Sequence, residues 1–269
     1  MDTRRPPRPL AVVTGASSGI GFELAGECAR HGYDLVIAAE NELLDDAADR
    51  LGVHGGSVRA VTTDLATYDG VEVLMGELRA DGRPVGLAVL NAGIGRGGAF
   101  LDTDLADLAR VIDVNVSSTV HLARRLLADM AARGQGRMLI TSSVAAEMPG
   151  PYNAVYNASE AFLQSFAQAV HRELRRTGVT VTALMPGATD TRFFVRAGLL
   201  DTRVGRSKKD DPSLVAHQGY RALVTGRPRR VAGSLRTRAQ EQMVRRLPVP
   251  ARTALHSHWA RPHGSGSHL

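Results

Sequence analysis

Short apolar runs and longer amphipathic segments alternate along most of the chain. The runs have the length and composition of buried strands. They are Leu10–Thr14, Leu35–Ala39, Val58–Thr62, Val85–Leu90, Arg137–Thr141 and Val179–Met185, with Arg230–Ala232 as a last short one. The intervening segments have helical spacing, and they are Gly19–His31, Glu42–Leu51, Tyr68–Ala80, Asp104–Arg133, Tyr152–Arg176, Pro212–Thr225 and Ser234–Arg246. This alternation predicts right-handed βαβ units and therefore an α/β fold with a Rossmann-type doubly wound parallel sheet.

The alternation extends over residues 8–247 and predicts a single domain. It loosens at Thr189–Asp211, where we predict a lid over the active site; a surface loop with a short helix fits the same pattern. The apolar residues of this segment hint at an apolar substrate, and they are Phe193, Phe194, Leu199 and Leu200. Residues 248–269 are expected to form a C-terminal tail, whose end is rich in Gly, Ser and His and is expected to be disordered.

The composition argues against several classes of protein. The formal net charge is +6, but the basic residues are scattered and do not interleave with aromatic residues, so we expect no nucleic-acid partner. Cys28 is the only cysteine, which excludes an intramolecular disulfide and a Cys-rich metal site, and we predict no bound metal. No apolar run is long enough to span a membrane, and the first nine residues do not resemble a signal peptide. We therefore expect a cytoplasmic protein without a membrane partner.

A glycine-rich turn joins the first predicted strand to the first predicted helix. Its sequence is Thr14-Gly15-Ala16-Ser17-Ser18-Gly19-Ile20-Gly21. Glycines at such a turn allow a tight bend, a close approach of the backbone to a pyrophosphate, and close packing of helix on strand. The free N–H groups at the start of the helix favour bound phosphates. The turn therefore predicts a dinucleotide site that includes Gly15, Ser17, Ser18, Gly19, Ile20 and Gly21.

Glu40 lies 19 residues after Gly21, at the end of the second predicted strand. An acidic residue in this region accepts hydrogen bonds from the adenosine ribose in dinucleotide-binding folds. Its charge would repel a 2′-phosphate, so Glu40 favours NAD(H) over NADP(H). A surface glutamate at the start of the next helix remains the alternative.

With these residues in view, the chain resembles the short-chain dehydrogenase/reductase family over about residues 8 to 247. Ser143 stands 13 residues before Tyr156, as in that family. The motifs that carry the resemblance are Thr14–Gly21, Asp64-Leu65, Asn91-Ala92-Gly93, Asn115, Thr141-Ser142-Ser143, Tyr156 and Pro186-Gly187 with Thr191.

The resemblance implies an NAD(P)-dependent oxidoreductase that transfers hydride between nicotinamide and an alcohol or ketone. Ser143 would orient the substrate oxygen, Tyr156 would be the general acid/base, and Asn115 would help to hold a proton-relay water and bend its helix. The implied cofactor contacts are Asp64 and Leu65, Asn91, Ala92 and Gly93 on the adenosine side, Thr141, Pro186 and Gly187, and Thr189 and Thr191 at the carboxamide. A homodimer or homotetramer, built on the two long helices, is also implied.

The sequence departs from the family at one catalytic position, where Tyr156-Asn157-Ala158-Ser159-Glu160 has glutamate instead of the family's lysine. That lysine lowers the pKa of the tyrosine and holds the nicotinamide ribose. A unit charge about 5 Å from the phenol is worth roughly 3 kcal/mol at an effective dielectric of 20, so an ionised Glu160 would weaken proton transfer.

The glutamate leaves three interpretations open. The first is an oxidoreductase with an atypical Ser143, Tyr156 and Glu160 site. The second is a lyase, an isomerase or an internally redox-neutral catalyst that retains the dinucleotide. The third is a non-catalytic dinucleotide-binding protein.

Overall fold

Seven parallel strands form one sheet in the computed structural model, which describes residues 8–261. The strands are β1 (Leu10–Thr14), β2 (Asp34–Ala39), β3 (Val58–Thr62), β4 (Val85–Leu90), β5 (Gly136–Thr141), β6 (Val179–Pro186) and β7 (Arg229–Ala232). Their order across the sheet is β3-β2-β1-β4-β5-β6-β7. The predicted doubly wound parallel fold is confirmed. The strand order reverses between β1 and β4, and ligands bind at such a switch point in open α/β sheets.

Helices cover both faces of this sheet. They are α1 (Gly19–Arg30), α2 (Leu43–Gly52), α3 (Tyr68–Asp81), α4 (Leu105–Ile112), α5 (Ser118–Arg133), α6 (Ala154–Glu173), α7 (Phe193–Arg196), α8 (Arg203–Arg206), α9 (Pro212–Val224), α10 (Leu235–Arg246) and α11 (Val249–Ala260). Buried side chains of α1, α2 and α9 form one apolar layer, and those of α3, α5 and α6 form the other. Because side chains alternate along a strand, Leu10 and Val12 of β1 enter one layer while Ala11 and Val13 enter the other.

The longest predicted helix, Asp104–Arg133, is interrupted in the structure. A π-helical segment, Asp113–Ser117, separates α4 from α5. The side chain of Asn115 in this segment is buried and bonds to residues outside the helix, as described below. Widened turns of this kind occur often at functional sites.

Two further segments differ from the pattern-based prediction. Tyr152, predicted to start a helix, lies outside α6 with a left-handed φ of 66°, and the helix begins at Ala154. Residues 249–260, placed in a C-terminal tail by the sequence, form α11, while residues 262–269 lie outside the described part of the chain. Within residues 8–261, no helix is long and apolar enough to cross a membrane.

Candidate active site

One cavity of about 740 Å³ opens at the carboxyl ends of the strands and is lined by every residue that the sequence places in the site. At its centre, β1, β4 and β5 are joined by polar side chains. The Thr14 hydroxyl accepts hydrogen bonds from the backbone N–H groups of Asn91 and Ala92, each at 3.0 Å, and the Thr141 hydroxyl donates to Asn91 Oδ1 at 3.1 Å. The sheet therefore brings segments that are distant in sequence to one site.

The glycine turn is packed so closely that side chains do not fit at its glycines. Gly15 has a φ of +66°, in the left-handed region that favours glycine. A Cβ on Gly21 would lie 2.2 Å from the Gly15 carbonyl oxygen, so no larger residue fits there. A Cβ on Gly19 would lie 2.8 Å from Thr191 Cγ2, which shows how closely the segment after β6 packs on the turn. This narrow turn, together with the N-terminus of α1, fits the pyrophosphate of a dinucleotide.

Two acidic residues that line the cavity, Glu40 and Asp64, are paired with a cation that sequence analysis missed. Arg110 of α4 bonds both carboxylate oxygens of Asp64, with Nη1–Oδ2 at 3.0 Å and Nη2–Oδ1 at 3.1 Å, and its Nη2 also donates to Glu40 Oε2 at 2.5 Å. Hydrogen bonds from Arg110 hold the pKa of Asp64 below its usual value. No sequence motif marks Arg110, because it comes near Glu40 and Asp64 only through the packing of α4.

Asn115 connects two walls of the cavity. Its Oδ1 accepts from the Ile94 N–H at 2.9 Å, and its Nδ2 donates to the Ile94 carbonyl at 3.0 Å and to Ser159 Oγ at 3.0 Å. The Ser159 hydroxyl in turn donates to the Tyr156 carbonyl at 2.8 Å. The widened turn thus fixes the strand-end loop after β4 against the part of α6 that carries Tyr156.

Ser143 and Tyr156 both line the cavity. Ser143 follows β5, and its hydroxyl accepts from the Ala145 N–H at 3.1 Å, which fixes its orientation. The Tyr156 ring packs against Phe193 with the ring centres 5.1 Å apart. Burial raises the pKa of Tyr156 well above its usual value, the charge of Glu160 raises it further, and the Ser143 hydroxyl opposes the shift. The phenol is therefore protonated at neutral pH.

Glu160 lies one turn after Tyr156 on α6 and is only 5% exposed. Burial raises the pKa of its carboxyl to about 8, with Ser142 opposing the shift. The carboxyl is consequently neutral for the most part at pH 7. The ionised glutamate considered from the sequence describes the site only above about pH 8.

The segment Thr189–Asp211, for which the sequence predicts a lid or a surface loop, contributes an apolar patch beside Tyr156. Phe194 and Leu199 are buried in a cluster against which Phe193 packs, whereas Leu200 is 51% exposed and does not line the cavity. Lys209 stabilises this segment, since its Nζ donates to the Gly205 carbonyl at 2.6 Å and lies 4.8 Å from the centre of the Phe194 ring.

Helix α11 forms part of the same wall, which the sequence did not indicate. His256 and Trp259 line the cavity. Arg252 Nη1 donates to the Glu147 carbonyl at 2.6 Å, and the Glu147 side chain pairs with Arg229 at 2.8 Å. Residues 249–260 have only a weak amphipathic pattern, which is why the sequence did not indicate this helix. The contacts of Arg252 and Glu147 connect the helix to the rest of the cavity wall.

Comparison with known proteins agrees with this geometry. The family described as short chain dehydrogenase matches residues 9–198. Oxidoreductase UcpA of Salmonella typhimurium is 29% identical to this chain over 79% of it and 79% of its own length.

Solved structures extend the similarity beyond residue 198. A short-chain dehydrogenase from Sphingobium yanoikuyae in complex with NADPH has a TM-score of 0.78 and 28% identity, over 96% of this chain and 98% of the other. A short-chain dehydrogenase/reductase from Burkholderia phymatum in complex with NAD has a TM-score of 0.77 and 28% identity, over 90% of this chain and 92% of the other. The chain therefore belongs to the short-chain dehydrogenase/reductase family of oxidoreductases.

Proposed function

We propose that this protein is an NAD(P)-dependent oxidoreductase that reduces a ketone to an alcohol, with Ser143 and Tyr156 at the reacting oxygen. The observation that supports this most directly is that both hydroxyls line the cavity that also contains the glycine turn. A bound nicotinamide cofactor would supply the hydride. The protein's own task is to orient the substrate oxygen and to provide its proton.

The protonation of the site favours reduction over oxidation at neutral pH. The Tyr156 phenol is protonated because burial holds its pKa well above the usual value, so a proton is available for a carbonyl oxygen. Oxidation of an alcohol needs the phenolate as base, and that form is scarce under the same conditions. Ser143, whose hydroxyl is held by the Ala145 N–H, positions the carbonyl beside Tyr156.

The cofactor would be held by chain segments at the ends of the strands. The glycine turn and the start of α1 would bind the pyrophosphate, Asp64 and Leu65 the adenine, and Thr189 and Thr191 the carboxamide. Glu40 would accept hydrogen bonds from the adenosine ribose, which favours NADH. The protonated carboxyl of Glu160 would face the nicotinamide ribose, where it can both donate and accept a hydrogen bond.

The proposal is tested by assaying a panel of ketones with NADH and NADPH. Tyr156→Phe is expected to lower kcat at least 100-fold with little change in cofactor affinity, and Ser143→Ala to lower it about tenfold or more. Tyr68→Phe, at a tyrosine that is 65% exposed on α3, is the matched control and should keep full activity. An unchanged rate in Tyr156→Phe would contradict the proposed chemistry.

The buried carboxyl at position 160 favours one second candidate, a catalyst that retains the dinucleotide but performs no net redox reaction. Without a cation beside it, Tyr156 is a weaker proton donor than its counterpart in the family. Tight dinucleotide binding without reduction of any ketone, in both the wild type and Glu160→Lys, would count against the oxidoreductase.

We further propose that the protein is a homo-oligomer. Leu105 and Ile112 on α4 are 78% and 46% exposed, although the helix is strongly amphipathic. Exposed apolar residues along a helix are typical of an interface. Sedimentation velocity at micromolar concentration should show a dimer or tetramer, and Leu105→Arg should shift it toward the monomer.

A further inference from the structure

Building on the dinucleotide site proposed above, we propose that Arg110 determines whether the adenosine end of this site admits a 2′-phosphate, and that Glu40 restrains it. The sequence alone assigns this end only carboxylates, Glu40 and Asp64, and therefore favours NADH. The structure adds a guanidinium that contacts both. This end of the site therefore contains two carboxylates and one guanidinium, and not carboxylates alone.

The guanidinium contacts the residue that is expected to hold the adenosine ribose. Its Nη2 is 2.5 Å from Glu40 Oε2, and Glu40 is the carboxylate expected to accept from the ribose hydroxyls. A group that reaches Glu40 is thus within a small movement of anything bonded to the ribose 2′-oxygen. Within residues 8–261, Arg110 is the one cationic side chain paired with either Glu40 or Asp64.

The two contacts of Arg110 differ in a way that suits a switch. Asp64 bonds the guanidinium through both carboxylate oxygens, whereas Glu40 bonds only Nη2. A phosphate could take over the single bond from Glu40 while Asp64 keeps the side chain in place. Paired carboxylate and phosphate oxygens are the partners that the planar guanidinium binds best.

These pairs do not serve mainly to stabilise the fold. The side chains of Arg110, Glu40 and Asp64 are 40%, 47% and 41% exposed, and ion pairs at such exposure contribute little to stability. They also join three separate elements, namely the helix α4 and the ends of β2 and β3, where Glu40 and Asp64 line the cavity. The Arg110 side chain is 40% exposed, so its guanidinium is accessible beside these carboxylates.

Neighbouring polar groups complete the subsite. Asn41 Nδ2 donates to Ser17 Oγ at 3.1 Å, and both residues line the cavity next to Glu40. Neither is charged, so they can contact a hydroxyl or a phosphate without deciding between them. Selectivity accordingly depends on the balance between Glu40 and Arg110.

The test is the affinity of the full-length protein for 5′-AMP and for 2′,5′-ADP, which differ only in the 2′-phosphate, measured by calorimetric titration together with NADH and NADPH. Arg110→Met is expected to weaken 2′,5′-ADP and NADPH about tenfold or more and to change 5′-AMP and NADH less than threefold. Arg110→Lys keeps the charge and should retain most of the selectivity. Arg59→Met is the matched control, since Arg59 pairs with Glu77 at 3.0 Å and similar exposure, near the opposite end of β3.

A second pair of variants, Glu40→Gln alone and combined with Arg110→Met, completes the test. Glu40→Gln releases Nη2, so NADPH should bind about tenfold more tightly than to the wild type, and adding Arg110→Met should abolish that gain. Equal losses of 5′-AMP and 2′,5′-ADP in Arg110→Met would overturn the proposal, because they would mean that Arg110 acts only through Asp64 and the adenine. If no dinucleotide binds to the wild type, the proposed function itself fails, which is a distinguishable result.

Discussion

Replacing Glu160 by glutamine removes a titrating carboxyl from beside the Tyr156 phenol. The two side chains are four residues apart on α6 and share one face of the helix. At about 5 Å and an effective dielectric of 20, a unit charge on Glu160 changes the free energy of phenol ionisation by ~3 kcal/mol, which is about 2 pKa units. Because the pKa of Glu160 is itself raised to about 8, this charge is present only above that pH.

The expected result follows from that titration. Below about pH 7 the wild-type carboxyl is neutral and resembles glutamine, so the two proteins should have kcat/KM values for ketone reduction within about threefold of each other. Above about pH 8.5 the ionised Glu160 makes Tyr156 a weaker acid. If roughly half of a 2-unit change in pKa appears in the rate, the wild type should be about threefold slower than Glu160→Gln at pH 8.5 and close to tenfold slower at pH 9.5, where nearly all of Glu160 is ionised.

The assay is the pH profile of kcat/KM from pH 6 to 9.5 with saturating reduced cofactor. Glu173→Gln makes the same chemical change at an exposed position of α6 and should reproduce the wild-type profile. Glu160→Lys extends the test, since an ammonium should lower the pKa of Tyr156 and raise the rate of alcohol oxidation at pH 7 at least tenfold. Superimposable profiles for the wild type and Glu160→Gln up to pH 9.5 would refute the reasoning.

Three further outcomes are expected. The folded state holds the Glu160 proton up to about pH 8 while the unfolded state loses it near 4.5, so this group's contribution to stability falls as pH rises through that window. Glu160→Gln should therefore gain in free energy of unfolding relative to the wild type, by up to about 5 kcal/mol between pH 4.5 and 8.5, in urea titrations. Gly21→Ala should abolish dinucleotide binding in fluorescence titrations, because its Cβ would lie 2.2 Å from a backbone oxygen, whereas Gly26→Ala on the same helix should bind normally. Asn115→Ala should lower kcat at least tenfold with a smaller change in cofactor affinity, and should cost about 2 kcal/mol or more in stability, measured in parallel, through its lost buried hydrogen bonds.

The sheet was predictable because its signal is local. The central strands β1, β2 and β4 are short apolar runs that are buried almost throughout, and the predicted ends of the strands agree with the structure to within one residue, as in β2 and β7. The glycine turn was predictable for a similar reason, since Gly15 and Gly21 are demanded by the backbone itself.

The remaining features depend on contacts between distant parts of the chain. The family resemblance implies that Asn115 bends its helix, but the residues around it have continuous helical spacing. The widened turn coincides with hydrogen bonds between Asn115 and both Ile94 and Ser159, which lie on two other segments. Arg110 is an ordinary surface arginine in the sequence, and its importance comes from where α4 places it. The protonation of Glu160 depends on burial, which a sequence pattern does not quantify.

The protonation of Glu160 changes what the missing lysine costs. Exchanging a lysine for an ionised glutamate alters the charge beside Tyr156 by two units, or ~6 kcal/mol on the phenol at 5 Å and a dielectric of 20. A carboxyl whose pKa is about 8 is largely neutral at pH 7, so only the positive charge is lost and the difference is halved to ~3 kcal/mol. That loss makes Tyr156 a weaker acid, but the phenol still carries the proton that reduction requires. We therefore expect the proposed Ser143 and Tyr156 chemistry to be slowed at neutral pH rather than prevented, and to be slowed most in the direction that requires a phenolate.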